Sequence, residues 1–532
     1  MRPAAVAAVP AALAAVVTTT EIGRPELWRD ELATWSAASR TLPQLWRMLH
    51  HTDAVLGPYY LVVHLWIGVF GDSATALRLP SALAITVAAA VVALTARRIV
   101  AAKETARAPE PDPVRGATHA DVAAIAAGVI FVGIPAVTRY GQEARPYAFA
   151  ALFSALATLA FVAAAERGKW YRWAGYAVAL AAAGASSLIT LSLLAGHVVG
   201  LVALRGRRPG RTARWTTWLR PAAGFAVCAL IAIGLDYPLI HEGQKQAVTQ
   251  LDNIAHPAWS ALWTLWPQLF SSGPASVAVL VLAVAGLIIP SAYRRACCFA
   301  VAVALVPVLS IWVISHAAVS YWTTRYLIFT LPAWAVAAGT GAAAIATKVR
   351  APVARYGFAA LLVAIPLAVG ATAQAAVRAP QAHNWWTYPD PSGDIPLGYQ
   401  QAADIIAAHE EPGDGIAFQV SDENRWEVDS GVLYYLGGRE APVTVFQSAA
   451  PKQDGLLTPV ECANPAKCLF GAHRIWVVYI EHLVNHGLGG TPFQALPPAA
   501  TATLHSDGYL VRQTYRSYGI TIALLETSHG QK

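Results

Sequence analysis

The sequence predicts an α-helical polytopic membrane protein that carries a C-terminal extracytoplasmic α/β domain. Three observations predict it. Of 532 residues, 56% are hydrophobic and 13% charged, with mean hydropathy +0.44, whereas a soluble chain carries about 25% charged residues. Long Ala/Leu/Val-rich runs recur without two-residue alternation, so the spans are helices and not barrel strands. After Val377 the character turns polar and aromatic.

Taken in order, about eleven runs have the length of a span: 4–20, 78–96, 119–138, 148–165, 173–187, 188–204, 221–240, 275–293, 296–315, 327–347 and 356–377. The first follows a single Arg2, with no clear n-region and no small-x-small site before an acidic loop, so it reads as a retained span. The stretch 173–204 is too long for one span and short for two; it reads as a bent pair around Gly184, Ser186 and Ser187.

With the N-terminus inside, the inner loops hold nineteen Lys/Arg and the outer loops of the membrane part nine, in agreement with the positive-inside rule. RGRRPGRTARWTTWLR is the strongest marker. The net charge of +7 is therefore a topology signal, and no nucleic-acid partner is expected. The predicted location is the plasma membrane, multi-pass, with the tail outside. Heavy Ala, Arg, Gly and Pro usage points to a GC-rich genome such as an actinobacterium's.

The first outer loop, 21–77, contains LATWSAASRTLPQLWRMLHH and PYYLVVHLWIGVFG. Both read as helices lying at the membrane interface, with Trp35, Trp46, Tyr59, Tyr60 and Trp66 as belt residues. Reading 58–71 as a full span would invert every later loop and put the basic ones outside.

Past residue 377, QQAADIIAAHE reads as a helix, IAFQV as a strand, SGVLYYLGG as a helix and PVTVF as a strand. RIWVVYI, YLVRQTYRSY and ITIALLE read as further strands. The expected domains are thus 1–377, in the membrane, and 378–532, a soluble α/β unit of common size. Cys228, Cys297 and Cys298 lie in spans. Cys462 and Cys468 lie in the tail, where an outer location favours a disulfide; the alternative is two reduced thiols. Zinc is not supported, since no second ligand pair follows.

Asp30-Glu31, in ELWRDELATW, is the leading chemical candidate. Carboxylates so close to hydrocarbon are costly unless used. They offer a general base, a metal ligand or both. The bland alternative is a helix start, where the dipole welcomes negative charge. Asp53 and His50-His51 follow in the same loop. RYGQEARPYA supplies Arg139, Tyr140, Gln142, Glu143, Arg145 and Tyr147; SYWTTRYLIFTLP supplies Tyr321, Arg325 and Tyr326. A lone outer arginine more often anchors to lipid phosphate. Carboxylates beside arginines at several span ends describe a site that binds a phosphate leaving group and deprotonates a hydroxyl. SDENRWEVD in the tail could bind sugar or calcium, but reads first as a solvated loop.

The order WRDELATW, YYLVVHLWIGVFG, RLPSAL, YGQEARPY and TRYLIFTLP resembles the GT-C class of membrane glycosyltransferases, over residues 1 to 377. It is similar to the branch near protein O-mannosyltransferases and lipid A aminoarabinose transferases, family 39-type. The resemblance implies an inverting transferase that moves a sugar from a polyprenyl-phosphate donor to a hydroxyl of a cell-envelope glycan, lipid or protein. Asp30 is then the catalytic base, with Glu31 its neighbour. Glu143 is a second acid, orienting the acceptor or joining Asp30 at a divalent cation, the one cofactor considered. Arg139, Arg145 and Arg325 are candidates for the donor phosphate. Tyr59, Tyr60, Gln142, Tyr147 and Tyr326 are candidates for sugar or acceptor contacts. Mannose is the sugar the lineage suggests, with arabinose and galactose open. The family often shows a polar His near the sixth span; here SSLITLSLLAGH puts His197 near the inner end.

Two rival functions remain at this level. A transporter or flippase needs polar or broken-helix sites at mid-membrane; the spans read as clean of charge, with Asp236 toward an end. A non-catalytic envelope assembly protein would tolerate loss of Asp30 and Glu143.

Overall fold

A computed structural model describes residues 3–105, 118–205, 219–252, 254–349, 351–379, 397–419, 425–437, 441–480 and 491–527. The core of the basic loop (206–218), the aromatic stretch 383–396 and the acidic run 421–424 lie outside the described residues. The described chain divides into two compact units. One comprises Met1–Ile22, Asp53–Val62 and Thr75–Val377; the other comprises Gly23–Thr52, Val63–Ala74 and Arg378–Lys532.

The first unit is a helical bundle. Among the described residues six helices are long and apolar enough to cross a membrane: Ala74–Ala102, Tyr147–Glu166, Arg220–Gln250, Arg294–Ile314, Thr324–Ala346 and Ala354–Ala376. Two bent pairs bring the number to as many as eight, and Pro3–Thr19 and Leu188–Ala203 are shorter apolar helices. Where the sequence suggested one span over 119–138, the chain bends by 65° between His119–Gly133 and Pro135–Gly141. Pro135 supplies no N–H and starts the short helix afresh. The expected break inside 173–204 is present: Trp170–Ser186 stops at Ser187, Leu188–Ser192 is a 3₁₀ turn, and Leu193–Arg205 resumes. Ala261–Leu269 turns by 104° into Gly273–Ile288, so the span expected at 275–293 starts earlier and ends five residues sooner.

Packing ranks these helices. In the most apolar 18-residue window of Thr324–Ala346, 94% of the residues are buried, against 17% in those of Arg220–Gln250 and Ala354–Ala376, which makes the former central and the latter two peripheral. Small residues allow the central helix its close approaches: a Cβ on Gly339 would strike the backbone of Ala127, and one on Gly341 the carbonyl of Leu282. Asp236 is the seventeenth residue of the 31-residue helix Arg220–Gln250. The apolar stretch ends four residues later at Ile240, and the helix continues for ten further residues through the polar HEGQKQAVTQ.

The second unit contains a five-stranded sheet ordered β2-β1-β5-β7-β6 and a two-stranded ribbon of β3 and β4. The strands are β1 (Gly415–Phe418), β2 (Val443–Thr444), β3 (Gln447–Ala449), β4 (Val460–Glu461), β5 (Arg474–Tyr479), β6 (Tyr509–Arg516) and β7 (Thr521–Thr527). β2, β1 and β5 run parallel, while β7 pairs antiparallel with both β5 and β6. The helix Arg425–Leu436 makes the crossover from β1 to β2, as parallel neighbours require. Ile475, Val477, Ala523 and Leu525 form one buried face with Leu504 of the helix Pro498–Ser506. Helices Arg29–Ala38, Leu42–His51 and Gly57–Phe70 form where the first loop was expected to be helical.

Candidate active site

The polar side chains singled out by the sequence are divided between the two units, and each set has its own geometry.

In the second unit Asp30 and Glu31 open the helix Arg29–Ala38. Glu31 is fully buried and accepts the backbone N–H of Trp28 at 3.4 Å. Its carboxylate closes the first turn of its own helix, so part of the signal in this pair is structural. Asp30 is half-buried, and its carbonyl accepts the Thr34 hydroxyl at 3.1 Å. The segment holding the pair is anchored nearby: Tyr435 accepts the Leu27 N–H at 2.9 Å, Trp35 Nε1 donates to Asp72 Oδ2 at 2.9 Å, and Lys452 lies 5.4 Å over the Trp35 ring. Glu26 accepts the Gln400 N–H at 3.3 Å, and burial raises its carboxyl pKa against the lowering effect of that N–H. Cys462 and Cys468 are joined in a disulfide.

In the first unit a line of polar groups runs from Asp53 to Arg145. Asp53 has φ +57°, a left-handed conformation that Asp tolerates better than most residues. The next N–H, of Ala54, donates to Gln246 Oε1 at 2.9 Å. Tyr60 donates its hydroxyl to Asp53 Oδ2 at 2.7 Å, and Arg145 Nη1 reaches the Tyr60 oxygen at 3.4 Å. Burial, with the Asp53 charge second, holds the Tyr60 phenol well above its usual range. It therefore stays a donor to the carboxylate, with its oxygen turned to the guanidinium.

The segment RYGQEARPYA supplies the rest. Arg139 Nη1 pairs with Glu143 Oε2 at 3.4 Å, both deeply buried; such a pair is costly to break from one side. Gln142 Nε2 donates to the carbonyls of Thr18 and Thr20 at 3.1 and 2.7 Å. That amide satisfies the C-terminus of the helix Pro3–Thr19, a structural duty beside the sugar contact expected of it. Pro146 then leads into the helix Tyr147–Arg167. Tyr147 stands edge-on to Tyr140 at 5.3 Å and 6.5 Å from Tyr326, whose ring lies 5.8 Å beneath Arg325. Tyr59 packs edge-on against Phe149 at 5.7 Å.

Three sequence-distant segments thus meet within this unit: Asp53–Tyr60, Arg139–Tyr147 and Arg325–Tyr326. His197 stands apart. It is fully buried, bonded to Tyr176 at 3.0 Å and Thr158 at 3.2 Å, and stacked on Phe161 at 4.6 Å; it is a satisfied core histidine. Gln246 and Arg78 were not anticipated. Arg78, fully buried, donates to the Ile22 carbonyl at 2.9 Å, and its place in RLPSAL was the available signal. Among the described residues no three His, Cys, Asp or Glu side chains converge as a metal-binding group. The set can bind and orient an anion through arginine donors.

No protein-family model matches the chain, and no curated protein does. Solved structures do. ArnT from Cupriavidus metallidurans bound to undecaprenyl phosphate is similar with a TM-score of 0.52 at 16% identity, over 97% of each chain. The same protein in the apo state is similar with a TM-score of 0.54 at 15% identity, again over 97% of each chain. At this identity the likeness establishes the architecture: the chain has the ArnT-like GT-C fold, a helical membrane protein with a small C-terminal sheet region.

Proposed function

We propose that this chain is an inverting glycosyltransferase that takes a sugar from a polyprenyl-phosphate donor and passes it to a hydroxyl on a cell-envelope acceptor. The observation that carries the reading is the Asp53–Tyr60–Arg145 line, with Tyr60 and Arg145 buried, beside the Arg139–Glu143 pair, within a fold shared with ArnT. Undecaprenyl phosphate bound to ArnT supports a lipid phosphate as the donor's leaving group here.

The chemistry needs three things. The acceptor oxygen forms a bond to the anomeric carbon as the bond from that carbon to the phosphate oxygen breaks, inverting configuration. The hydroxyl proton passes to a carboxylate, and we assign Asp30 on the sequence argument. Charge grows on the departing phosphate, and fixed arginines in a water-poor site stabilise it. Arg145 is the first choice, because Tyr60 and Asp53 fix its orientation; Arg139 and Arg325 are further candidates. Glu143 holds Arg139 in place. Tyr147 and Tyr326 offer aromatic faces to a sugar. We assign mannose first among donors, residues 1–377 to catalysis, and residues 378–532 to the outer side. The test is transfer from labelled polyprenyl-phosphate mannose, galactose and arabinose in proteoliposomes: loss in Arg145→Ala supports the reading, and undiminished transfer removes Arg145 from it.

One observation favours a second reading. The Asp236 carboxylate is buried against Gly184 within an apolar helix, and its Oδ2 has no hydrogen-bond partner among the described residues. Intramembrane acids of this kind mark transport pathways. A lipid or glycan flippase would lose translocation in Asp236→Asn without any change in glycosyl transfer.

A further inference from the structure

The helix that carries Asp30 is too short to stand alone. Arg29–Ala38 and its neighbour Leu42–His51 have 10 residues each, and isolated helices shorter than about 12–15 residues are marginal in water. Both belong to the same compact unit as the tail, so contacts within that unit must hold them. Those contacts close on both ends of the Asp30 helix.

Before its start, the Leu27 N–H donates to the Tyr435 hydroxyl oxygen at 2.9 Å, and Glu26 accepts the Gln400 N–H at 3.3 Å. Tyr435 lies in the last turn of the tail helix Arg425–Leu436. Gln400 lies in the first turn of the tail helix Tyr399–His409, where unbonded N–H groups favour a carboxylate. Further along, Trp35 stands edge-on to Tyr434 at 5.2 Å, and the Tyr434 hydroxyl donates to the Asp72 carbonyl at 3.0 Å.

Past its end, one guanidinium joins the helix to the tail. Arg40 is 1% exposed. Its Nε donates to the Ser36 carbonyl at 3.2 Å, one of the last-turn carbonyls that a helix leaves unbonded. Its Nη1 and Nη2 donate to two tail carbonyls, those of Pro451 at 3.1 Å and Leu456 at 2.5 Å. A lysine has one nitrogen and cannot reproduce this fork. Between those carbonyls Gly455 holds φ +75°, and a Cβ there would sit 3.3 Å from the Arg47 backbone, so the tail's turn lies tight against the helix Leu42–His51.

We propose that the C-terminal domain sets the position of the Asp30 carboxylate, with Arg40 and Tyr435 as the positioning residues. A reacting group misplaced by about 1 Å can cost about 100-fold in rate. That the positioned group is the base rests on the transferase reading; that the tail holds the helix does not. The test uses full-length protein in lipid nanodiscs and the variants Arg40→Lys and Tyr435→Phe, with Arg512→Ala on the exposed face of β6 as the control. Hydrogen-exchange mass spectrometry follows residues 27–38, and exchange over the central helix 331–346 gives the folded fraction. Initial rates of transfer give kcat per folded molecule and the donor KM. Both variants should speed exchange over 27–38 about tenfold and lower kcat about 10- to 100-fold. The donor KM should stay within about twofold, since neither change touches the arginines assigned to the phosphate. Arg512→Ala should leave all of these unchanged. Unaltered exchange over 27–38 in both variants overturns the proposal. So does faster exchange with an unaltered kcat, or an equal loss in Arg512→Ala. Faster exchange in the variants of a protein whose wild type transfers from no donor would leave the anchoring standing and remove the transferase reading.

Discussion

Tyr60→Phe isolates the Asp53–Tyr60–Arg145 line, because it deletes one oxygen and leaves the ring. Two bonds disappear. The 2.7 Å bond from the phenol to Asp53 is short and charge-assisted, a kind worth about 1.5–3 kcal/mol. The 3.4 Å contact from Arg145 is long and adds a few tenths of a kcal/mol at most. The ring keeps its buried place, so the change falls mainly on the orientation of Asp53 and Arg145. If about 2 kcal/mol of that orientation is expressed in the transition state, the specificity constant for the donor falls about 30-fold. The assay is initial-rate transfer from labelled polyprenyl-phosphate sugar in proteoliposomes, with donor concentration varied. Asp53→Asn should lower the same constant, and the double variant should fall no further than the worse single one, since both act through Arg145. Full additivity, or a Tyr60→Phe rate within twofold of wild type, would refute the claim that this line orients the phosphate-binding arginine.

Three further outcomes are expected. Arg145→Lys keeps the charge but loses the planar fork, so donor transfer should drop about 10- to 100-fold, read in the same assay. Glu26→Gln should raise the melting temperature of the protein at pH 7. Glu26 has a raised pKa when folded, so the unfolded chain releases this proton at lower pH and stability falls as pH rises through that window; the advantage of the variant should vanish below about pH 4, where both states are protonated, as a pH series of thermal melts will show. Gly184→Ala places a methyl group into the Asp236 carboxylate and should cost about 1–3 kcal/mol, seen as lower yield and lower melting temperature than in Gly175→Ala, where a Cβ meets nothing.

Much of the fold was legible because hydrocarbon and water leave few choices. Runs long enough to span became helices, and the Ser187 break followed from Gly184, Ser186 and Ser187. The bend before Pro135 was hidden, because IFVGIPAV is apolar throughout and periodicity registers no change of direction. The end of the Asp236 helix was missed for the opposite reason. LIHEGQKQAVTQ is polar, yet it continues as helix to Gln250. In the tail the long strands β5, β6 and β7 were read from β-branched and aromatic runs, but β3 and β4, with three and two residues, carry no period to detect. Pro498–Ser506, PAATATLHS, is only nine residues long with no clear apolar period, and is held by Ala500 and Leu504 in the core.

The site was legible as a set of residue types and not as pairings. Asp53, Tyr60 and Arg145 were all named, but the link through the Tyr60 hydroxyl joins positions 53, 60 and 145, which only the tertiary fold brings together. Glu31 shows the reverse: Asp-Glu at a helix start has both a chemical and a structural meaning, and its bond to Trp28 gives it the structural one.

The central claim is tested most directly by transfer of label from polyprenyl-phosphate mannose, galactose and arabinose in membranes containing wild type or Asp30→Asn. The account predicts that wild type moves label from one of these donors to an acceptor while Asp30→Asn, equally well expressed, does not. Undiminished transfer in Asp30→Asn would contradict the base assignment, and no transfer by wild type from any of the three donors would contradict the proposed function itself.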